Sequence, residues 1–268
     1  MTVRVGVCGA AGRMGRVILE VCKETDGVEI GAAIEHIESP HIGIDAGELA
    51  GIGKLGIEIT DDILSIVNKV DVMIDFTLAT SVIQNIDKCI SSNYKMVIGT
   101  TGLNDKDQAK LKSAANEIAI VFAPNMSIGV NLCFKLLETA SNVIGEDADV
   151  EIIEAHHRDK KDAPSGTAIR MGEIVAEMTD RNLKDCAVYG REGITDSRDK
   201  NSIGFETIRA GDIVGDHTVI FATAGERVEI THKATSRKTF ASGAVRAAKW
   251  LADKEKGLFD MQDVLNFK

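Results

Sequence analysis

Aromatic side chains are scarce in this 268-residue chain, at 4%, with a single tryptophan and two tyrosines. A core built on rings is thereby excluded. Packing must rest on Ile, Val, Leu, Ala and Met, within an apolar share of 44% that suits a globular protein. Positive charge is also in deficit: 31 Lys and Arg stand against 41 Asp and Glu, a formal net charge of −10. Such a chain gains nothing from phosphate electrostatics, so nucleic acid is not an expected partner. Cysteine is limited to Cys8, Cys22, Cys89, Cys133 and Cys186, an odd and scattered set without a Cys-x-x-Cys pair. That argues against a disulfide framework and for buried, reduced thiols in a reducing compartment. No apolar run approaches the roughly 18 residues that span a bilayer. The opening Val3-Arg4-Val5-Gly6-Val7 is a strand pattern without the cleavage features of a signal peptide. A soluble, cytoplasmic protein is expected, with no membrane partner.

What the sequence does have is alternation. Apolar runs at 3–8, 28–34, 70–76, 96–98 and 118–122 read as strands, and stretches at 13–25, 61–68, 81–93 and 105–116 read as helices. On the first helix Met14, Val17, Ile18, Val21 and Cys22 share a face. Strands alternating with crossover helices predict a doubly wound parallel sheet of α/β class. The pattern changes near residue 126. A helix at 128–144, a strand at 150–155 and a helix at 167–178 precede three strand-like runs at 204–208, 217–223 and 227–232. A second domain of α+β type with a mixed or antiparallel sheet is expected there. The stretch 241–252 is helical again. The organisation predicted is therefore a dinucleotide-binding domain over 1–126, completed by 240–268, and a substrate-binding and oligomerisation domain over 127–239.

The first chemical signal is Gly9-Ala10-Ala11-Gly12-Arg13-Met14-Gly15, directly after the first strand and opening the first helix. Glycines let the backbone turn tightly and approach a pyrophosphate, and the helix N-terminus offers N–H groups and a positive dipole end. A Rossmann-type site also wants an acid at the end of the second strand to accept hydrogen bonds from the ribose. Glu35 stands there. The spacing is G-x-x-G-x-x-G, not the commoner G-x-G-x-x-G. Three further strand ends, at Asp75-Phe76-Thr77, Gly99-Thr100-Thr101-Gly102 and Ala123-Pro124-Asn125-Met126, suit contacts to the nicotinamide half, though each alone reads more readily as an ordinary turn.

The second signal is the run Glu154-Ala155-His156-His157-Arg158-Asp159-Lys160-Lys161-Asp162-Ala163-Pro164-Ser165-Gly166-Thr167-Ala168. Cationic residues crowd together here in an otherwise acidic chain. A strand runs into them, and Pro164, Ser165 and Gly166 suit the start of a helix. N–H groups of Gly166 and Thr167 with nearby Lys and His would hold a small polyanion such as a dicarboxylate. A histidine there is also suited to proton transfer near neutral pH. A solvated charge run is the plain alternative. A metal site is not expected: adjacent strand histidines face opposite ways and no third ligand has suitable spacing.

Together these segments resemble the 4-hydroxy-tetrahydrodipicolinate reductase family, formerly called dihydrodipicolinate reductase. The run 154–168 is similar to its most specific motif, and the cradle 7–15 to its N-terminal signature. Similar segments also occur at 45–49, 99–102, 125–131, 209–215, 229–234 and 257–261, so the resemblance extends from residue 3 to about 265. It implies NAD(P)H-dependent reduction of a cyclic imine dicarboxylate in diaminopimelate and lysine biosynthesis. It implies that Gly9, Ala10, Ala11, Gly12, Arg13 and Met14 bind the pyrophosphate and Glu35 the ribose. Gly99, Thr100, Thr101, Ala123, Pro124, Asn125 and Met126 would line the nicotinamide side. His156 matches the proton donor and Lys160 the second catalytic residue; His157, Gly166 and Thr167 match contacts to the substrate carboxylates. A homotetramer built through the second domain is implied as well.

Two alternatives share the cradle: another two-domain dehydrogenase acting on an amino acid, and a non-catalytic NADH sensor. The first should lack the His-His to Ser-Gly-Thr run; a DNA-bound sensor should carry a basic helix-turn-helix, which is not found. On cofactor choice, His36 stands beside the ribose acid where several family members carry Arg. Glu35 would repel the 2′-phosphate of NADPH, and a histidine offers only a pH-dependent charge against that repulsion. NADH is therefore the preferred cofactor expected, with Arg13 and Arg16 leaving NADPH usable.

Overall fold

The computed structural model describes residues 2–268. Its strands are β1 (Val3–Cys8), β2 (Val28–Ile34), β3 (Ile59–Thr60), β4 (Val72–Asp75), β5 (Lys95–Ile98), β6 (Ala119–Phe122), β7 (Asp149–His156), β8 (Ala187–Tyr189), β9 (Ile203–Arg209), β10 (Gly215–Thr223), β11 (Glu226–Ala234) and β12 (Gly257–Phe259). Its helices are α1 (Arg13–Glu24), α2 (Ala46–Ala50), α3 (Ala79–Ser92), α4 (Asp105–Ala114), α5 (Ile128–Ile144), α6 (Gly166–Met178), α7 (Leu183–Cys186), α8 (Lys238–Leu251) and α9 (Met261–Val264). The chain falls into two units, one running to Ile128 and joined by Arg237–Lys268, the other Gly129–Ser236.

In the first unit the described strands form a seven-stranded sheet in the order β12-β6-β5-β4-β1-β2-β3, parallel throughout. A parallel sheet is covered on both faces, which is why β1 and β4 are almost wholly buried. Side chains alternate across it. Val5, Val7, Val72, Ile74, Val97 and Val121 pack with Ile18 and Leu19 of α1 and with Ala244, Ala248 and Leu251 of α8. Met73, Met96, Ile98 and Ile120 pack with Val82 and Ile86 of α3 and Leu111 of α4. The order places β1 between β4 and β2, so successive crossovers leave on opposite sides of β1. The crevice at that reversal, outside the carboxyl ends of the strands, is where such a sheet takes its ligand.

The helix expected over 61–68 is a single 3-10 turn at Ile63–Ile66. Asp62 caps it by accepting from Leu64 N–H, and Val67 already leaves helical geometry at ψ 134°. The carboxyl terminus adds β12 beside β6 as an extra edge strand.

The second unit carries a five-stranded sheet, β11-β10-β7-β9-β8. β10 runs antiparallel to β11 and β7, whereas β9 is parallel to β7 and β8. One face is apolar and covered: Val150, Ile152, Phe205, Val219 and Phe221 pack with Leu137 of α5 and Met171 and Val175 of α6. Toward the end of β7 that same buried face turns polar, with Glu154 and then His156. No helix of the described residues is long and apolar enough to cross a membrane.

Candidate active site

The cradle of the first unit is built by close approach. Gly9 takes a φ of +68° and accepts from Gly12 N–H at 2.9 Å through its carbonyl. A Cβ at position 15 would stand 2.1 Å from that same oxygen, so only glycine lets α1 close on β1. Gly12 caps α1 without a side-chain bond, and the first turn holds no acid. The positive end of α1 is thus left to an anion from outside, which a dinucleotide pyrophosphate fits. Arg13 is exposed, with no partner among the described residues; Arg16 Nε donates to Ala11 O at 2.9 Å. Ala10 is wholly buried, so its contribution there is backbone alone.

Glu35 directly follows β2, where the ribose acid is expected. Its carboxylate accepts from Ala11 N–H at 2.8 Å and from His36 N–H at 3.0 Å. It therefore braces the glycine loop as well as facing solvent. His36 is exposed, and its Nδ1 lies 3.9 Å from Glu38 Oε2, so a second carboxylate stands at this corner.

The other strand ends are tied together beneath. Asp75, fully buried, accepts from Thr77 N–H at 2.9 Å, Thr77 Oγ1 at 2.6 Å and Asn85 Nδ2 at 2.8 Å. Thr100 Oγ1 donates to Thr77 O at 3.0 Å. Gly99 is required for packing: a Cβ there would meet the Phe76 ring at 2.2 Å. Thr101 and Pro124 are exposed and Ala123 is buried. Asn125 Oδ1 accepts from Ser127 N–H at 2.9 Å and shapes the turn after β6. Met126 is 1% exposed and faces the core, with its carbonyl so near α8 that Gly243 has no room for a Cβ. Its side chain is closed off from a ligand.

In the second unit the motif residues gather between the end of β7 and the start of α6. Glu154 and His156 share the buried face because they are two apart on a strand. His156 Nδ1 is 2.6 Å from Glu154 Oε2. Arg209, at the end of the neighbouring β9, donates to both Glu154 oxygens, at 2.8 and 2.7 Å, and Ser165 N–H donates to Oε1 at 3.0 Å. Ser165 caps α6 by accepting from Ala168 N–H at 3.2 Å, and its Oγ lies 2.9 Å from His217 Nε2. The His217 ring stands edge-on to His156 at 5.1 Å. Gly215, across from His156 on β10, leaves the room this ring needs: a Cβ there would be 3.0 Å from Nε2.

Burial sets the charges. Desolvation pulls His156 below the ordinary histidine value, although the Glu154 carboxylate works against it. His217 falls to about 4, from burial first and from His156 second, so it is neutral near pH 7. Burial alone would raise Glu154, but hydrogen bonds from Arg209 and His156 carry it below the usual carboxylate range.

Around this core His157 is half-buried, its ring without a hydrogen bond to the described residues, and Gly166 opens α6 with empty space above its Cα. Thr167 follows in the first turn of α6. Lys160 donates to both Asp162 oxygens, at 2.9 and 2.8 Å. The arrangement can donate a proton from a buried imidazole and bind an anion through Lys160, His157 and the α6 N-terminus. Glu154, Arg209, Gly215 and His217 carry no role expected from the sequence. Only the Glu-x-His spacing of the motif hinted at the first of these.

Family comparisons agree along the chain. Residues 3–126 match the family described as dihydrodipicolinate reductase, N-terminus, and residues 129–265 its C-terminus. A 4-hydroxy-tetrahydrodipicolinate reductase of Methylococcus capsulatus is 56% identical over 268 residues, covering 100% of both chains. One of Alkalilimnicola ehrlichii is also 56% identical, over 99% of each chain. Among solved structures, a dipicolinate-bound dihydrodipicolinate reductase from Paenisporosarcina sp. TG-14 has the same fold, with a TM-score of 0.76 at 24% identity, over 98% of this chain and 99% of that one. An amine dehydrogenase from Mycobacterium smegmatis shares the fold more distantly, with a TM-score of 0.61 at 12% identity over 96% and 94%.

Proposed function

From the premise that this chain belongs to the dihydrodipicolinate reductase family, we propose how its own residues divide the work of the reaction. The enzyme is an NAD(P)H-dependent oxidoreductase that reduces a cyclic imine dicarboxylate to tetrahydrodipicolinate, a step of diaminopimelate and lysine biosynthesis. The observation that carries the division of roles is the buried His156, held at Nδ1 beside the cationic run that ends at the α6 N-terminus.

The first-unit residues hold the cofactor: Gly9 to Met14 with the α1 N-terminus for the pyrophosphate, Glu35 for the ribose, and the 99–101 and 123–126 loops toward the nicotinamide. Bound reduced nicotinamide supplies the hydride to a conjugated ring carbon. His156 supplies the proton to the neighbouring carbon from Nε2, the nitrogen that Glu154 leaves available, and ends neutral. Lys160, His157, Gly166 and Thr167 take the two carboxylates, which orients the ring and contributes several kcal/mol of positioning. The dicarboxylate class is supported by the surplus of cationic and N–H donors at this end of the second unit.

NADH is the preferred cofactor, because Glu35 and Glu38 both disfavour a 2′-phosphate and His36 offsets them weakly. The protein works as a homotetramer in the cytoplasm. Support for assembly comes from the outward face of the five-stranded sheet, where Ile153, Ala155, Ile208 and Ile220 alternate with Glu151, Glu206, Asp216 and Thr218 and Ile208 is 47% exposed. The five cysteines are free thiols, in keeping with a reducing compartment. The activity is tested by supplying 4-hydroxy-tetrahydrodipicolinate and following loss of NADH absorbance. Assembly is tested by light scattering, where a stable monomer would refute the tetramer.

A further inference from the structure

Glu154 touches neither substrate nor cofactor in the roles above, yet its carboxylate takes part in five hydrogen bonds. It is 1% exposed. Its Oε2 receives His156 Nδ1 and Arg209, and its Oε1 receives Arg209, Ser165 N–H and, at 3.4 Å, Thr207 Oγ1. A buried carboxylate is costly unless paired, and this one is paired on every side.

We infer that Glu154 is a positioning residue: it fixes the His156 ring so that neutral His156 carries its proton on Nδ1 and only Nε2 exchanges a proton with the substrate, while Arg209 keeps Glu154 ionised. This rests on the reading of His156 as proton donor. An imidazole whose Nδ1–H is held by a carboxylate gives up the Nε2 proton and lands in the tautomer that the carboxylate already stabilises. The two-coordinate grip of Arg209 matters equally. Without it, the Glu154 oxygen nearest the ring would compete for the same proton.

The groups facing His156 are Glu154 on its own strand, Arg209 on β9, His217 on β10 and Lys160 in the following loop. Only Glu154 favours the charged imidazole; Arg209 and Lys160 oppose it. His217 stays neutral, so it supports the ring edge-on without adding charge. Opposite signs from Glu154 and Arg209 give the proposal a signature that mere loss of structure would not produce.

The test uses the full-length enzyme with 15N-labelled histidine, the His156 signal being assigned by its absence in H156Q. Above its pKa, wild-type His156 should be protonated at Nδ1. E154Q should lower its pKa and the basic limb of kcat/KM by about one unit or more, with kcat down about 10- to 100-fold. R209M should move the same pKa upward. If either variant fails to fold, the wild-type tautomer still decides. A neutral His156 protonated at Nε2, or an E154Q enzyme with the pKa in place, overturns the proposal. Should H156Q keep full kcat, the proton-donor reading fails on its own, and the tautomer still reports whether Glu154 governs the ring.

Discussion

Lys160 donates both to Oδ1 and to Oδ2 of Asp162, so the ammonium expected to meet a substrate carboxylate is already paired with one from its own loop. Asp162 is exposed, and the Lys160 ammonium holds its carboxyl below the ordinary range. An incoming carboxylate has to compete with it.

The consequence is a pair of opposite effects. Lys160→Ala should lower kcat/KM by about 10- to 100-fold, the value of one charge-assisted hydrogen bond. Asp162→Asn frees the ammonium and should lower the KM for the dicarboxylate without touching NADH affinity. Steady-state kinetics check both. Wild-type parameters in both variants would return Lys160 to a solvated surface charge.

Asp45 gives a prediction about acid stability. Its carboxylate accepts N–H bonds from Gly47, Glu48, Leu55, Gly56 and Ile57, which folds the 45–57 segment around one side chain. The bond from Leu55 leads in lowering its pKa to about 2. The unfolded value is about 3.9, so the unfolded chain binds the proton first as pH falls. The stabilisation is complete above about pH 5 and is lost as pH drops through the folded value. Asp45→Asn should lower Tm near neutrality, and the gap from wild type should close toward pH 2. Thermal melts across that window measure it; a gap independent of pH would remove the charge from the explanation.

Much of this was legible in the sequence, and what was not has a physical reason. The long elements around β1, α1 and β2 declare themselves through periodicity, and so does the strand-to-helix passage from β7 to α6. Elements such as α2, β3, α7 and α9 are too short to show a period, and their formation depends on caps such as Asp45 and Asp260. The helix expected over 61–68 failed for the same reason: one apolar turn cannot propagate past Val67. In the site, His156 and Lys160 stand out by residue type and motif. Arg209 and His217 do not, because they reach Glu154 and Ser165 only through the strand register, across 55 and 52 residues of chain. Gly215 looks like any turn glycine until the ring of His156 is placed beside it.

Cofactor preference follows from the corner formed by Glu35, His36 and Glu38. NADH should give the higher kcat/KM near neutral pH, since two carboxylates stand where a 2′-phosphate would lie. His36→Arg should raise kcat/KM for NADPH by about tenfold, with a smaller effect on NADH, through a permanent guanidinium against the phosphate. A wild-type enzyme that strongly favours NADPH would show instead that Arg13 or Arg16 governs this corner.

The central claim is that the second unit supplies the proton from His156 to a substrate reduced by NAD(P)H. The most direct measurement compares wild type and His156→Gln by NADH oxidation with 4-hydroxy-tetrahydrodipicolinate, alongside NADH binding by fluorescence. Expected are turnover by the wild type, a kcat at least about tenfold lower in the variant, and the same NADH dissociation constant in both. A variant that turns over at the wild-type kcat would contradict it.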